Sequence, residues 1–170
     1  MKSSTLKKIC VCGLFSSLAL ISFIIEGLFP PLIIPGAKIG LSNVFILLSL
    51  VCLGPVYAYA VLLTKVILGS LFAGNISAII YSLPSGVIAL TLEIIVLCYI
   101  KRASIISTSV LGAVVNITIQ NLIFCAYSQS MEYLIYLPYL ALIGILGGTI
   151  TGFAVYLSIK RLPEKLNFNK

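Results

Sequence analysis

Glu26, Lys38, Asn43, Lys65, Asn116 and Gln120 are the residues of this chain best able to do chemistry among apolar neighbours. A lysine can meet an anionic group, and side-chain amides can fix a ligand's orientation because each both donates and accepts. Lys65 lies nine residues beyond Val56, about 13 Å along a helix and so near the middle of a roughly 30 Å hydrocarbon core. Asn116 and Gln120, one helical turn apart, fall at similar or slightly more external depth, and Ser109 and Gly112 continue their face. Charges sunk in lipid cost a few kcal/mol or more unless something offsets them. One reading is a single polar chamber entered from outside, with Lys65 meeting a negative group. The other is that Lys65, Glu26, Asn116 and Gln120 satisfy one another inside a bundle. Glu93, two turns before Lys101, is expected near the inner side, where it snorkels or pairs.

The element that must position Glu26, Lys38 and Asn43 is the stretch EGLFPPLIIPGAKIGLSN. Pro30, Pro31 and Pro35 each lack an N–H and disfavour the α conformation before them, so a helical break is expected here. Irregular backbone near membrane depth survives where protein or water satisfies it, which suits the edge of a cavity. An ordinary exposed loop is the alternative.

The composition sets the class. Hydrophobic residues make up 61% and charged residues 9% of 170 positions, with a mean hydropathy of +1.21, so the chain reads as one integral membrane domain over 1–170. Apolar segments run over about 6–29, 39–53, 56–72, 76–100, 105–127 and 134–159, followed by a solvated tail at 160–170. The fold class expected is an all-α bundle of six transmembrane helices. Pro84, Ser85 and Gly86 suggest a broken or bent fourth helix. The basic start and apolar run of Met1–Ile25 resemble a secretory signal, but the run is long, ends in Glu26 and has no Ala-x-Ala-like site, so it is read as the first membrane helix.

The net charge of +7 could suggest nucleic acid, but the bases cluster at the ends of apolar runs, and the expected partner is the anionic inner leaflet of the membrane lipid. With both termini in the cytoplasm, nine of the eleven Lys and Arg lie inside, leaving Lys38 and Lys65. A multi-pass protein of the cell membrane is expected. Tyr133, Tyr136 and Tyr139 fall at the outer start of the last helix as an interfacial belt.

Small residues mark helix contacts. Gly144, Gly148 and Gly152 recur every four residues, a strip that lets another backbone approach. Gly13 and Ser17 form a shorter pair on the first helix, open to two readings, internal packing or docking of another membrane protein. The five cysteines, Cys10, Cys12, Cys52, Cys98 and Cys125, have no CxxC spacing and no histidine beside them, so they read as small buried hydrophobes, with no metal expected.

Several activities are excluded. The acids are Glu26, Glu93, Glu132 and Glu164, with no aspartate, so the aspartate-rich clusters that hold magnesium and diphosphate in prenyl-chain elongation cannot form. No phosphate-loop motif, histidine or base-paired nucleophile is present, and no cofactor motif. The chain reads as no enzyme.

Glu26 followed by Pro-Gly-Ala-Lys-Ile-Gly-Leu-Ser-Asn at 35–43 resembles the signature of the family labelled heptaprenyl diphosphate synthase component I, also called the Gx transporter family. Leu68-Gly69, Gly74, Tyr81-Ser82 with Gly86, Ser109-Val110 with Gly112, Gln120, and Leu137-Pro138 before the glycine strip follow in the order the resemblance expects. That family is similar to the substrate-binding S-components of energy-coupling factor transporters. The resemblance implies a six-helix bundle with an outward-facing pocket for a small-molecule substrate, and a membrane T-component contacting Gly13 and Ser17. It also implies two cytoplasmic ATPases driving a toppling motion. Lys65 stands where the family pattern has arginine, Asn116 where it has histidine, Ile117 where it has asparagine and Ile119 where it has glycine. Lysine keeps the charge but loses the planar two-pronged grip. The family label implies a second role, a non-catalytic membrane partner of an isoprenoid synthase. A subunit serving flavin or quinone electron transfer is a third reading, with no cofactor motif behind it.

Overall fold

The structure, a computed structural model, describes residues 3–28, 40–100 and 103–161. Six α-helices succeed one another: α1 (Ser3–Leu28), α2 (Leu41–Leu53), α3 (Pro55–Phe72), α4 (Ala78–Tyr99), α5 (Ile105–Ser128) and α6 (Leu137–Arg161). All except α2 are long and apolar enough to cross a membrane. With 13 residues, α2 rises about 20 Å, against a hydrocarbon core of about 30 Å. The six helices expected are present, five of them long enough to span the membrane and one short.

The short helix is the most enclosed. Nine of the residues of α2 are buried, on every side of it, as befits a helix apolar all round. It packs against α1, α3 and α6, while α1 meets α3, α3 meets α4, α4 meets α5 and α5 meets α6. The six helices therefore close a ring. Its outside is apolar, with Leu14, Phe72, Ile88, Leu146 and Phe153 exposed, while Ser42, Ser49, Lys65, Ser85, Thr108 and Ser109 are buried. That inversion is what a bilayer as solvent requires.

The turn between α2 and α3 is as tight as the chain allows. Gly54 adopts φ +105°, which a side chain would disfavour, and its N–H donates to the carbonyls of Ser49 (3.1 Å) and Leu50 (3.2 Å). Pro55 then opens α3 at a position whose N–H has no helical acceptor.

The seam between α5 and α6 is built by omission of side chains. A Cβ at Gly144 would lie 3.3 Å from Val114 Cα, one at Gly148 2.7 Å from Val110 Cα, and one at Gly152 2.7 Å from Ile106 Cα. Both series step by four, so two antiparallel helices touch backbone to backbone over two turns, the approach that small-xxx-small spacing permits.

Three expectations change. α4 runs through Pro84 without a break, with Ser85 Oγ donating to the Ser82 carbonyl at 3.1 Å. Neighbouring helices, hydroxyls and local adjustment re-satisfy backbone groups freed by proline in a membrane helix. The last helix begins at Leu137, preceded by a 3₁₀ turn over Met131–Tyr136, three residues beyond the start read from hydropathy. Cys10 and Cys98 are exposed, whereas Cys12, Cys52 and Cys125 are buried, and all five are free thiols. Among the described residues no cluster of His, Cys, Asp and Glu could hold a metal ion.

Candidate functional site

Inside the ring lies a cavity of about 120 Å³ to which all six helices contribute. Glu26, Asn43, Lys65, Asn116 and Gln120 all line it. Lys38 and the prolines Pro30, Pro31 and Pro35 lie outside the described residues. At this volume the cavity suits a few waters or a small solute, below the roughly 300–1,000 Å³ of drug-sized sites.

One end is organised by the first turn of α2. Gly40 takes φ +83° and its carbonyl accepts from Asn43 N–H at 2.9 Å. Glu26, at the end of α1, accepts from Leu41 N–H at 2.7 Å and from Ser42 Oγ at 3.5 Å. The carboxylate therefore occupies an α2 N-terminus, where unpaired N–H groups and the helix dipole favour negative charge. Glu26 is thus a clamp between α1 and α2 as well as a lining residue.

Lys65 is buried, and its ammonium donates to Asn43 Oδ1 at 2.7 Å. It also stands 5.9 Å from the centre of the Phe23 ring, within cation–π range. Gly69, one turn along α3, leaves room for that ring, since a Cβ there would fall 2.6 Å from Phe23 Cδ1. The cation is seated by an amide, a ring and a glycine together.

The opposite wall is α5. Ser109, Gly112, Asn116 and Gln120 line the cavity along one face. Asn116 Oδ1 is buried with no hydrogen-bond partner, so the amides do not all satisfy one another as a closed structural network would. Asn121 faces elsewhere: its Nδ2 donates to the Tyr133 carbonyl at 3.2 Å. Tyr133 belongs to an aromatic stack in which Phe124 meets it at 5.0 Å and Tyr81 at 5.5 Å, both edge to face. None of the three tyrosines expected as a belt lines the cavity.

Glu93 is a cavity residue whose orientation the sequence does not make plain. Expected to snorkel or pair near the inner side, it lines the cavity. Its carboxylate rests in the notch left by Gly112, where a Cβ would overlap it and would lie 2.7 Å from Glu93 Cγ. The sequence does hold a signal for this. α4 ends at Tyr99 and α5 starts at Ile105, so in an antiparallel pair residues equally far from that turn face each other, and Glu93 and Gly112 are nearly so.

Gly13 and Ser17 stand apart from the cavity. Both are exposed on α1, nothing lies within 4 Å of a Cβ placed at Gly13, and Ser17 Oγ donates to the Gly13 carbonyl at 3.0 Å. Internal packing therefore does not account for the pair.

A comparison with curated proteins and one with solved structures each found no match. Residues 15–157 match the family model described as Heptaprenyl diphosphate synthase component I, a span that takes in every cavity-lining residue named above. The chain is a membrane protein of the heptaprenyl diphosphate synthase component I family.

Proposed function

We propose that this chain is the solute-binding membrane subunit of an energy-coupling factor type uptake transporter, taking a small, partly apolar, anionic molecule from the outside. The observation that carries the reading is a buried lysine, Lys65, lining a cavity in the centre of a membrane bundle beside side-chain amides. A charge held at that depth is expensive, and its usual reason is a ligand or ion pathway. Lys65 attracts the negative group; Asn43, Asn116 and Gln120 orient it; Lys38 joins them from the α1–α2 connection. Both termini face the cytoplasm of a bacterial cell. The small-residue face of α1 at Gly13 and Ser17 receives a T-component, and two cytoplasmic ATPases supply the energy, so the chain itself catalyses nothing.

A second reading is supported by the family's description, which names a heptaprenyl diphosphate synthase. On it the chain is a non-catalytic membrane companion of a soluble prenyl synthase. Affinity purification of the full chain in mild detergent separates the two. Recovery of ATPases with a second membrane protein supports transport, and recovery of a soluble aspartate-rich synthase supports the companion role. The readings also differ in the cell, since only a transporter's deletion abolishes uptake of a solute.

A further inference from the structure

Glu93 has no part in the capture of an anion, and its surroundings need explaining. It sits on α4 within a membrane span, lines the cavity, and rests against Gly112 on α5 in a position that a Cβ there would displace. Among the described residues no hydrogen bond or ion pair reaches its carboxylate. A membrane-embedded acid facing a cavity is costly unless something donates to it. A solute that fills the cavity can supply that donor.

The depth of Glu93 relative to Lys65 gives the geometry. Leu62 on α3 packs against Gly86 on α4, since a Cβ at Gly86 would lie 2.9 Å from Leu62 Cδ1. Lys65 is three residues from that contact toward the Glu26 end, and Glu93 is seven residues from it the other way. Ten residues of rise put their backbones about 15 Å apart along the bundle. The cavity thus has Lys65 near the end that Glu26, held on the α2 N-terminus, also lines, and a second acid, Glu93, near the other, with Leu62, Ala89 and Leu90 among the apolar lining between.

We infer that Glu93, seated against Gly112, is a recognition point for a protonated amine, so that the cavity takes a small amphoteric solute with an acid at one end, an amine at the other and an apolar middle. This rests on the reading of the cavity as a solute site, and it adds a requirement that an anion alone would not meet. A carboxylate accepts charge-assisted hydrogen bonds from an ammonium, and in this setting the pairing offsets the desolvation of both groups. The solute closes the separation between poles that Lys65 and Glu93 cannot close themselves.

The test uses three probes sharing one carbon chain, 6-aminohexanoate, hexanoate and hexylamine, titrated calorimetrically into the purified full-length protein, its Glu93→Gln variant and its Lys65→Ala variant. The expected result is that the wild type binds 6-aminohexanoate at least about tenfold more tightly than hexanoate, the contribution of one hydrogen bond to a charged group. In Glu93→Gln that ratio falls to near one. Hexanoate binding as tightly as 6-aminohexanoate to the wild type overturns the inference even if the variant does not fold, as does an unchanged ratio in Glu93→Gln. Either leaves the Lys65 reading standing, provided Lys65→Ala weakens hexanoate. Amine binding that depends on Glu93, with hexanoate indifferent to Lys65→Ala, sinks the anion reading alone and sustains Glu93. No binding by any probe at its solubility limit counts against both.

Discussion

Lys65 Nζ and Asn43 Oδ1 meet at 2.7 Å, joining the middle of α3 to the first turn of α2 inside the bundle. The pair is asymmetric. Removing the amide takes an acceptor away from a buried ammonium, whereas replacing lysine by an apolar residue of similar length takes a donor away from a neutral carbonyl oxygen. Asn43→Ala is expected to destabilise the fold by about 2–3 kcal/mol and Lys65→Met by about 1 kcal/mol. Denaturation of the purified protein in mixed micelles checks the order, and equal losses or the reverse order contradict it.

The glycine seam makes a graded prediction. Gly148→Ala and Gly152→Ala each drive a methyl to within 2.7 Å of a backbone Cα on α5, while Gly144→Ala stops at 3.3 Å. Backbone cannot yield as a side-chain tip can, so the first two are expected to cost about 1–3 kcal/mol and Gly144→Ala less. Melting temperatures of the single variants measure this. A uniform small effect across all three means that α5 and α6 adjust their separation freely.

Gly112→Ala is expected to behave differently from Gly148→Ala. The methyl would overlap the Glu93 carboxylate, but a glutamate side chain can swing away, and here it has a cavity to swing into. The loss of stability is expected to stay below that of Gly148→Ala, while the preference for 6-aminohexanoate over hexanoate falls. Retention of full preference would detach Glu93's placement from solute recognition.

On the outer face of α1, Gly13→Leu is expected to leave melting temperature unchanged, because nothing lies within 4 Å of the added Cβ. If that face receives a T-component, the same variant loses co-purifying ATPases. A variant that melts normally and still recovers them moves the docking surface elsewhere.

How much of this was legible depended on which physical signal decided each feature. Hydropathy decides where helices lie, and the segments read over 56–72 and 105–127 differ from α3 and α5 by one residue each, at the start of the first and the end of the second. The four-residue spacing of Gly144, Gly148 and Gly152 identifies a close approach, but nothing along α6 says that Val110 and Ile106 are what it approaches. Pro84 suggested a break because local propensity argues for one; packing against α3 and α5 carries α4 through it. At the cavity, the depth of Lys65 follows from counting residues along one helix. Its partner Asn43 does not, because it lies on a different helix, α2, and how α2 packs against α3 across the Gly54 turn is not written along either one. For Glu93, nearness to Lys101 indicates depth, but only the antiparallel register of α4 and α5 sets it opposite Gly112 and facing the cavity.

Titration of the purified full-length protein with a panel of vitamins and of quinone and isoprenoid precursors, in parallel with Lys65→Ala, tests the central claim most directly. The account predicts that an anionic, partly apolar member of the panel binds the wild type and binds Lys65→Ala at least about tenfold more weakly. Binding of equal strength to both proteins would contradict it.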